Sequence, residues 1–393
     1  MIKLFLALLL IFIFAACSRQ PAPPREAMNI LPWGSVDLNT TKKDSVFDIK
    51  NSMGSSLIYK HDHSRGNTVE YNILAISGGG SHGAYGVGLI DGWYHSGDMP
   101  MFDVVTGIST GSIISTFVFL GGEHIGHISK LYTEIDTSDI YHYNFFKIFG
   151  GSSITSTRPL KNMLEEHITQ EILDEVAREY KKGRRLYIGT MNVDTGHLVV
   201  WDMGAIASSS HPGKLKLYRN IIYASCAMPG VFDPEYFEIE YKDEKYYQIH
   251  VDGSMYAHVF MIGLLENWGD ILDYKTDKKF DVTLYAIANR KYRYKNRLKP
   301  LEDDSAVSIL IAVATSSVDL LFDRSLFRLY KACQSKGYRF NYAGIGDDVN
   351  LTTLSHEFEP EQMNRLFVYA RKKGLEGIEW QTEITDDEVT KHY

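Results

Sequence analysis

The sequence predicts an α/β fold in which a mainly parallel sheet carries helices on both faces, as three layers. Short apolar segments typical of buried strands recur between residues 69 and 375. Most are followed by stretches with apolar residues at helical spacing, and this alternation is typical of a parallel sheet. The composition is that of a globular protein, with 44% hydrophobic and 23% charged residues. The 393 residues allow two or three domains or one large unit with loop insertions.

The elements are predicted from apolar runs bounded by Gly, Pro and polar turns. The predicted strands are Val69–Ser77, Phe102–Thr106, Arg185–Val193, His197–Asp202, Tyr246–Val251 and Asp281–Ala288. The predicted helices cover residues 84–97, 112–120, 160–180, 214–227, about 305–335 and about 359–373.

Charge and cysteine content exclude several classes of protein. The formal net charge of −8 argues against a general nucleic-acid binder, which would carry a basic surplus. Three cysteines, Cys17, Cys226 and Cys333, cannot form a disulfide framework, and no CxxC pair indicates zinc. His124 and His127 are too sparse for a metal site without carboxylate or cysteine partners. We therefore expect no metal and no organic cofactor.

The first residues are typical of an export signal. Lys3 precedes an apolar run, Leu4–Ala16, that is shorter than a membrane-spanning helix. Residues 14–17, Phe-Ala-Ala-Cys, resemble the lipobox of bacterial lipoproteins, in which the cysteine is released by cleavage and acylated. The resemblance implies a lipid anchor on Cys17, and Ser18 after it favours the outer membrane of the cell envelope. A plain secretory signal cut after Ala16 is the alternative.

The chain is predicted to have four parts. Residues 1–16 form the signal peptide. Residues 17–68 comprise the lipidated cysteine, a proline-rich tether (18–27) and a leader that packs loosely on the domain. Residues 69–375 form the α/β domain, and residues 376–393 form a polar tail.

A serine between two glycines is the first candidate for chemistry. Gly107-Ile108-Ser109-Thr110-Gly111 lies between a predicted strand and a predicted helix, which is the pattern of a nucleophile elbow. The sharp turn exposes the hydroxyl above the sheet, and side chains at Gly107 and Gly111 would collide with neighbouring backbone. A glycine-rich turn with an idle serine would have the same sequence.

The glycine loop Gly78-Gly79-Gly80-Ser81-His82-Gly83 allows two interpretations. Glycines at 78, 80 and 83 match the dinucleotide-binding fingerprint, which needs an acidic residue near the end of the next strand. Asp103 has the right separation but lies at the start of its strand. Alternatively, a glycine turn at a helix N-terminus directs several N–H groups at one point, where they can stabilise an oxyanion.

A nucleophilic serine needs a base. A histidine triad would use a late histidine, yet His356 lies in a polar stretch and His392 near the chain end, and His250 lies inside a strand. Asp252 is better placed, because it ends an apolar strand at the sheet edge where such folds bind ligands. Partial burial would raise its pKa and make it a better base for a hydroxyl.

GGGSHG, GISTG and VDG, in this order, resemble the motifs of the patatin-like phospholipases, and the likeness extends over residues 70–375. The resemblance implies a patatin-like α/β/α fold and a lipid acyl hydrolase in which Ser109 is the nucleophile and Asp252, followed by Gly253, is the base. It also implies an oxyanion hole in the loop Gly78–Gly83, formed by the N–H groups of Gly79, Gly80 and Ser81. His82 departs from the family, which often has Arg or Lys there, and Ser254 is a mild departure.

We therefore expect a membrane-tethered serine hydrolase that acts on carboxylic esters of lipids, without nucleic acid and with an undetermined oligomeric state. An acyltransferase on the same site and a catalytically silent envelope lipoprotein are the alternatives. If the charge of His82 helps to hold the oxyanion, activity should change through about pH 6–7.

Overall fold

The computed structural model describes residues 20–36, 49–143, 153, 155–261, 278–291 and 306–384. The predicted signal peptide and Cys17 lie outside the described residues. No helix within the described ranges is both long enough and apolar enough to cross a membrane.

Among the described residues, the central sheet has eight strands. In the order in which they lie side by side they are β10, β9, β1, β2, β5, β8 and β7, with β6 also paired to β5. A separate two-stranded ribbon pairs β3 with β4. The bounds are β1 Thr68–Ile76, β2 Val104–Gly107, β3 His142–Tyr143, β4 Thr155–Ser156, β5 Arg185–Asn192, β6 His197–Asp202, β7 Glu235–Tyr241, β8 Glu244–Asp252, β9 Lys279–Lys291 and β10 Arg339–Ile345.

Eleven α-helices lie within the described residues. Their bounds are α1 Ile49–His63, α2 Gly83–Ser96, α3 Thr110–Leu120, α4 Glu123–Glu134, α5 Thr137–Ile140, α6 Arg158–His167, α7 Gln170–Lys181, α8 Met203–Ser208, α9 Lys214–Cys226, α10 Ala306–Lys336 and α11 Pro360–Glu376.

The sheet is buried on both faces, as the apolar sequence of β1 requires. Ile73 and Ala75 face a cluster that includes side chains of α1 and α10. Leu74 and Ile76 face the opposite cluster, to which α2, α3 and α11 contribute. Because successive strand side chains point to opposite faces, one fully apolar strand can serve both clusters. The predicted three-layer α/β/α architecture is confirmed.

The sheet is parallel at one end and antiparallel at the other. Parallel pairing joins β10, β9, β1, β2 and β5. β6 and β8 run antiparallel to β5, and β7 runs antiparallel to β8. The sequence analysis did not predict β7 or β10, and it predicted one helix over residues 160–180 where the chain forms α6 and α7. Thr169 caps the second of these helices, since its side chain accepts a hydrogen bond from the Ile172 N–H group.

The predicted tether and loosely packed leader are instead attached to the domain. Met53 and Leu57 of α1 are buried in the core. In the preceding segment, the Val36 N–H group donates to the Val200 carbonyl at 2.7 Å, and the Tyr247 N–H group donates to the Pro21 carbonyl at 2.9 Å. These bonds satisfy polar groups of β6 and β8, which is why the segment does not behave as a free linker.

The polar tail predicted for residues 376–393 also packs on the sheet over its described part. Gln381 and Tyr342 of β10 exchange two backbone hydrogen bonds, of 2.8 and 2.9 Å. Ile384 is buried against the same face as α10. The tail therefore covers a strand whose edge would otherwise be open.

Helices α2 and α11 touch through glycines. A Cβ atom on Gly88 would lie 2.3 Å from the Phe367 carbonyl oxygen, and one on Gly92 would lie 2.1 Å from the Arg371 carbonyl oxygen. Both contacts are with backbone, so a side chain here forces the helices apart.

We predict that Gly88→Ala lowers the free energy of unfolding by about 1–3 kcal/mol, because the methyl group overpacks the helix contact. Gly126→Ala in α4 is the control, since nothing lies within 4 Å of the added Cβ atom, and it should instead stabilise by about 0.5–1 kcal/mol. Urea unfolding of both variants measures the difference. Equal effects would contradict the proposed packing constraint.

Candidate active site

Ser109 lies on a strained turn between β2 and α3. Its φ of 54° and ψ of −130° are unusual for a residue other than glycine. A Cβ atom on Gly107 would lie 2.3 Å from the Gly111 carbonyl oxygen, and one on Gly111 would lie 2.4 Å from that of Ile76. The two glycines are therefore required by the close approach of backbone, as the motif predicts, and the turn leaves the Ser109 side chain half-buried.

Asp252 and Ser109 come together at one edge of β5, where two different strands pair with successive parts of it. β2 occupies this edge at Arg185–Ile188, and β8 occupies it at Thr190–Asn192, while β6 pairs with the other edge. Ser109 follows β2, and Asp252 ends β8 opposite Thr190. Asp252 thus reaches the site from an antiparallel strand and not from the carboxyl end of a parallel one.

The Asp252 carboxyl group is buried and has well-defined partners. Oδ1 accepts a hydrogen bond of 2.8 Å from the Ser254 N–H group. Burial raises the pKa of Asp252 to about 6, and the hydrogen bond from Ser254 and the nearby Ser109 side chain oppose this rise. A carboxylate with this pKa is a stronger base than an exposed one.

The glycine loop lies directly beside Ser109. A Cβ atom on Gly78 would be 3.0 Å from the Ser109 Cβ atom. Gly80 has a φ of 55°, and a Cβ atom there would lie 1.9 Å from the Ser355 carbonyl oxygen. The loop is therefore confined between the serine turn and residues preceding α11, and side chains at these positions have no room.

The N–H groups of the loop divide into two sets. The Ser81 N–H group donates to the Ser355 carbonyl at 2.8 Å, and the His82 N–H group donates to the Gly79 carbonyl at 3.1 Å. Neither is open to a ligand in this arrangement, which differs from the predicted oxyanion hole for Ser81. Among the described residues, the N–H groups of Gly79 and Gly80 have no hydrogen-bond acceptor.

The expected titration of His82 near pH 6–7 is not supported. Burial lowers the pKa of His82 to about 4, a backbone hydrogen bond with Thr353 opposes this, and the positive charge of Arg290 lowers it further. The imidazole is neutral at neutral pH. His82 therefore brings no positive charge to the loop under those conditions.

The histidines considered for a triad lie elsewhere. The His250 ring is within hydrogen-bonding distance of Thr190, with Nδ1 and Oγ1 2.9 Å apart, and burial lowers its pKa to about 3. His356 is exposed, and its carbonyl accepts a hydrogen bond from the Tyr141 hydroxyl at 2.9 Å. His392 lies outside the described residues.

The structure adds residues that the sequence did not indicate. The His258 ring lies against the loop, since a Cβ atom on Gly78 would be 3.7 Å from Nδ1. Arg290 donates to His258 Nε2 at 3.2 Å and forms an ion pair with Asp319. Ser225 accepts a hydrogen bond from the Ser109 N–H group at 2.9 Å. These residues are far apart in sequence and belong to no short motif, so only the fold brings them together.

The dinucleotide interpretation has no support from Asp103. Its carboxylate pairs with Lys60 at 2.7 Å and accepts the Asn72 N–H group at 2.8 Å, at the start of β2. His124 pairs with Glu175 at 2.8 Å. Within the ranges that the structure describes, no group of three or more His, Cys, Asp or Glu side chains could hold a metal ion.

The chain is an α/β protein with a mainly parallel central sheet, and Ser109 lies on a strained strand-to-helix turn with the geometry of a nucleophile elbow. Residues 74–263 match the family model of the patatin-like phospholipases. This stretch contains the glycine loop, Ser109 and Asp252. The family resemblance of the sequence is therefore confirmed over these residues.

Two solved structures are similar to the chain. VipD from Legionella pneumophila has 11% sequence identity and a TM-score of 0.36, and the match covers 78% of this chain and 66% of that one. Human GIVD cytosolic phospholipase A2 has 10% identity and a TM-score of 0.36, with 84% of this chain and 64% of that one covered. The chain thus spans just under two thirds of either structure. No curated protein sequence matches it.

Because Asp252 is buried, we predict that it lowers the free energy of unfolding as the pH rises. Its folded-state pKa of about 6 exceeds the ordinary 3.8, so ionisation disfavours the folded state by about 3 kcal/mol once the pH is above both values. This cost is absent below about pH 3.8 and grows as the pH rises to about 6. Asp252→Asn should therefore unfold at a higher temperature than the wild type at about pH 8, with a smaller difference at about pH 4. Equal differences in melting temperature at both pH values would contradict this prediction.

Proposed function

We propose that this protein is a lipid acyl hydrolase that cleaves carboxylic esters through an acyl-enzyme on Ser109, with Asp252 as the base. The observation that carries the proposal is the approach of the Ser109 side chain, on a strained turn beside the glycine loop, to the buried Asp252 carboxyl group. The match of this region to a phospholipase family supports a lipid ester as substrate.

In the first step the Ser109 oxygen attacks the ester carbonyl, and its proton passes to the Asp252 carboxylate. The proton then goes to the departing alcohol, which leaves an acyl group on Ser109. Water deprotonated by the same carboxylate hydrolyses this intermediate. The raised pKa of Asp252 supports this role, because it lowers the free-energy cost of taking a proton from a hydroxyl.

The oxyanion that forms in each step needs hydrogen-bond donors. The N–H groups of Gly79 and Gly80 are suited to this role, since both lie in the loop that touches Ser109 and neither has an acceptor among the described residues. The adjacent N-terminus of α2 adds a favourable dipole. Ser81 would serve only if its N–H group left the Ser355 carbonyl.

A lipid anchor on Cys17 would place this activity at a membrane surface in the bacterial cell envelope. Ser18, the residue after the cysteine, favours the outer membrane, as it does in bacterial lipoproteins. Such an anchor is stable when several acyl chains are attached to one cysteine. The lipobox-like sequence supports this part of the proposal.

We predict that Ser109→Ala abolishes both labelling by a fluorophosphonate probe and turnover of a p-nitrophenyl ester. Asp252→Asn should lower turnover by at least about 10³-fold, because it removes the base and leaves the buried site nearly isosteric. Both variants and the wild type are assayed as the full chain in detergent micelles.

Three outcomes separate the alternatives. A wild type that neither labels nor turns over indicates a silent lipoprotein. Acylated alcohol among the products of a phospholipid substrate indicates an acyltransferase. A Ser109→Ala variant with full turnover would place the site elsewhere.

The pH dependence provides an independent test of the base. The value of kcat/KM should fall about tenfold for each pH unit below about 6, because Asp252 must be ionised to accept the proton. His82→Gln should keep the same midpoint, since His82, with a pKa of about 4, is already neutral there. A profile that is flat from about pH 5 to pH 8, or a midpoint lost in His82→Gln, would contradict this assignment.

A further inference from the structure

The last turn of α9 touches both loops of the site. Ser225, Cys226 and Ala227 follow one another in the chain, and all are buried. The Ser225 Oγ atom accepts a hydrogen bond from the Ser109 N–H group at 2.9 Å. Two residues later, the Ala227 carbonyl accepts one from the Asp252 N–H group at 3.0 Å.

The direction of the hydrogen bonds of Ser225 is determined. A hydroxyl has one proton, and that of Ser225 is donated to the Gly189 carbonyl at 2.7 Å. The oxygen lone pairs therefore face the Ser109 N–H group. Donating one bond strengthens the acceptance of the other.

Ser109 needs this acceptor more than most residues would. It precedes α3, so its N–H group has no partner within the helix. Its φ of 54° is also unfavourable unless surrounding contacts maintain it. The bond to Ser225 satisfies this N–H group and is one of the contacts that maintain the turn.

Further contacts join the same turn to the two loops. A Cβ atom on Gly253 would lie 2.5 Å from the Gly189 carbonyl oxygen, which is the acceptor for Ser225. The Cys226 Sγ atom lies 3.8 Å from the Ser112 Oγ atom, which donates to the Ser109 carbonyl at 2.7 Å. Ser225 and Ala227 thus bind the backbone of the reacting pair, and Cys226 lies beside Ser112, which binds the Ser109 carbonyl.

We propose that residues 225–227 act as a positioning clamp that fixes the nucleophile Ser109 relative to the base Asp252, with Ser225 as its principal positioning residue. The inference rests on the proposed function and adds to it the residue that sets the geometry of the pair. Ser225 itself does not touch the reacting atoms, so it acts through Ser109.

The test compares Ser225→Ala with Tyr218→Phe in the full chain. Ser225→Ala leaves the Ser109 N–H group without its acceptor, and we expect kcat to fall about 10- to 100-fold with KM within about twofold. Tyr218→Phe is the matched control, because it removes another buried hydroxyl of α9, which contacts Thr116 of α3 at 3.2 Å and neither Ser109 nor Asp252. We expect its kcat to stay within about twofold of the wild type.

Two more variants and one measurement distinguish positioning from stability. Ser225→Thr keeps the hydroxyl and should retain most of kcat, whereas Ser225→Cys keeps the shape with a poor acceptor and should lose kcat as Ser225→Ala does. Hydrogen–deuterium exchange of residues 107–112 should be faster in Ser225→Ala and unchanged in Tyr218→Phe. If Ser225→Ala fails to fold, Ser225→Cys is compared with the wild type in its place.

Different experimental results would overturn the clamp and the proposed function. An inactive wild type, or an active Ser109→Ala, would overturn both. A normal wild type and an inactive Ser109→Ala, together with full kcat in Ser225→Ala and Ser225→Cys, would overturn the clamp alone. If kcat falls no further in Ser225→Ala than in Tyr218→Phe, the clamp is also overturned.

Discussion

The central constraint in this structure is that two strands share one edge of β5. β2 ends after pairing with Ile188, and β8 begins to pair at Thr190, so the residues at this junction converge. Ser109 leaves the sheet there, and Asp252 arrives there. The core on both faces, the glycine loop and the end of α9 all pack around this junction. The pairing of the two side chains is therefore a consequence of sheet register and does not depend on a flexible loop.

This junction concentrates features that are costly for folding. Ser109 has a strained backbone, and Asp252 is a carboxyl group kept away from water. The glycines beside them leave no space for side chains. Such a site persists because the surrounding layers stabilise it, and the same features bring a hydroxyl near a carboxyl group of raised pKa, as the proposed ester hydrolysis requires.

The fold class could be predicted from the sequence, and so could the choice of Ser109 and Asp252 for the candidate site, because both depend on local patterns. Strand and helix periodicity, a glycine-flanked serine and an Asp-Gly at a strand end can all be seen within a few residues. The sequence did not predict the antiparallel end of the sheet, nor Ser225, His258 and Arg290, because their contacts join distant parts of the chain. The sequence also suggested that His82 titrates near pH 6–7, because the burial that lowers its pKa has no local signal.

The docking of the N-terminal segment limits how far the domain can lie from an anchor. The Pro21 carbonyl is bound to the Tyr247 N–H group on β8, so only the residues between Cys17 and Pro21 are available as a spacer. Fully extended, these span roughly 14 Å, about half the ~30 Å thickness of the hydrocarbon core of a bilayer. If Cys17 carries the proposed anchor, this part of β8, the strand that ends at Asp252, is held close to the bilayer surface, and substrate would then enter from that membrane.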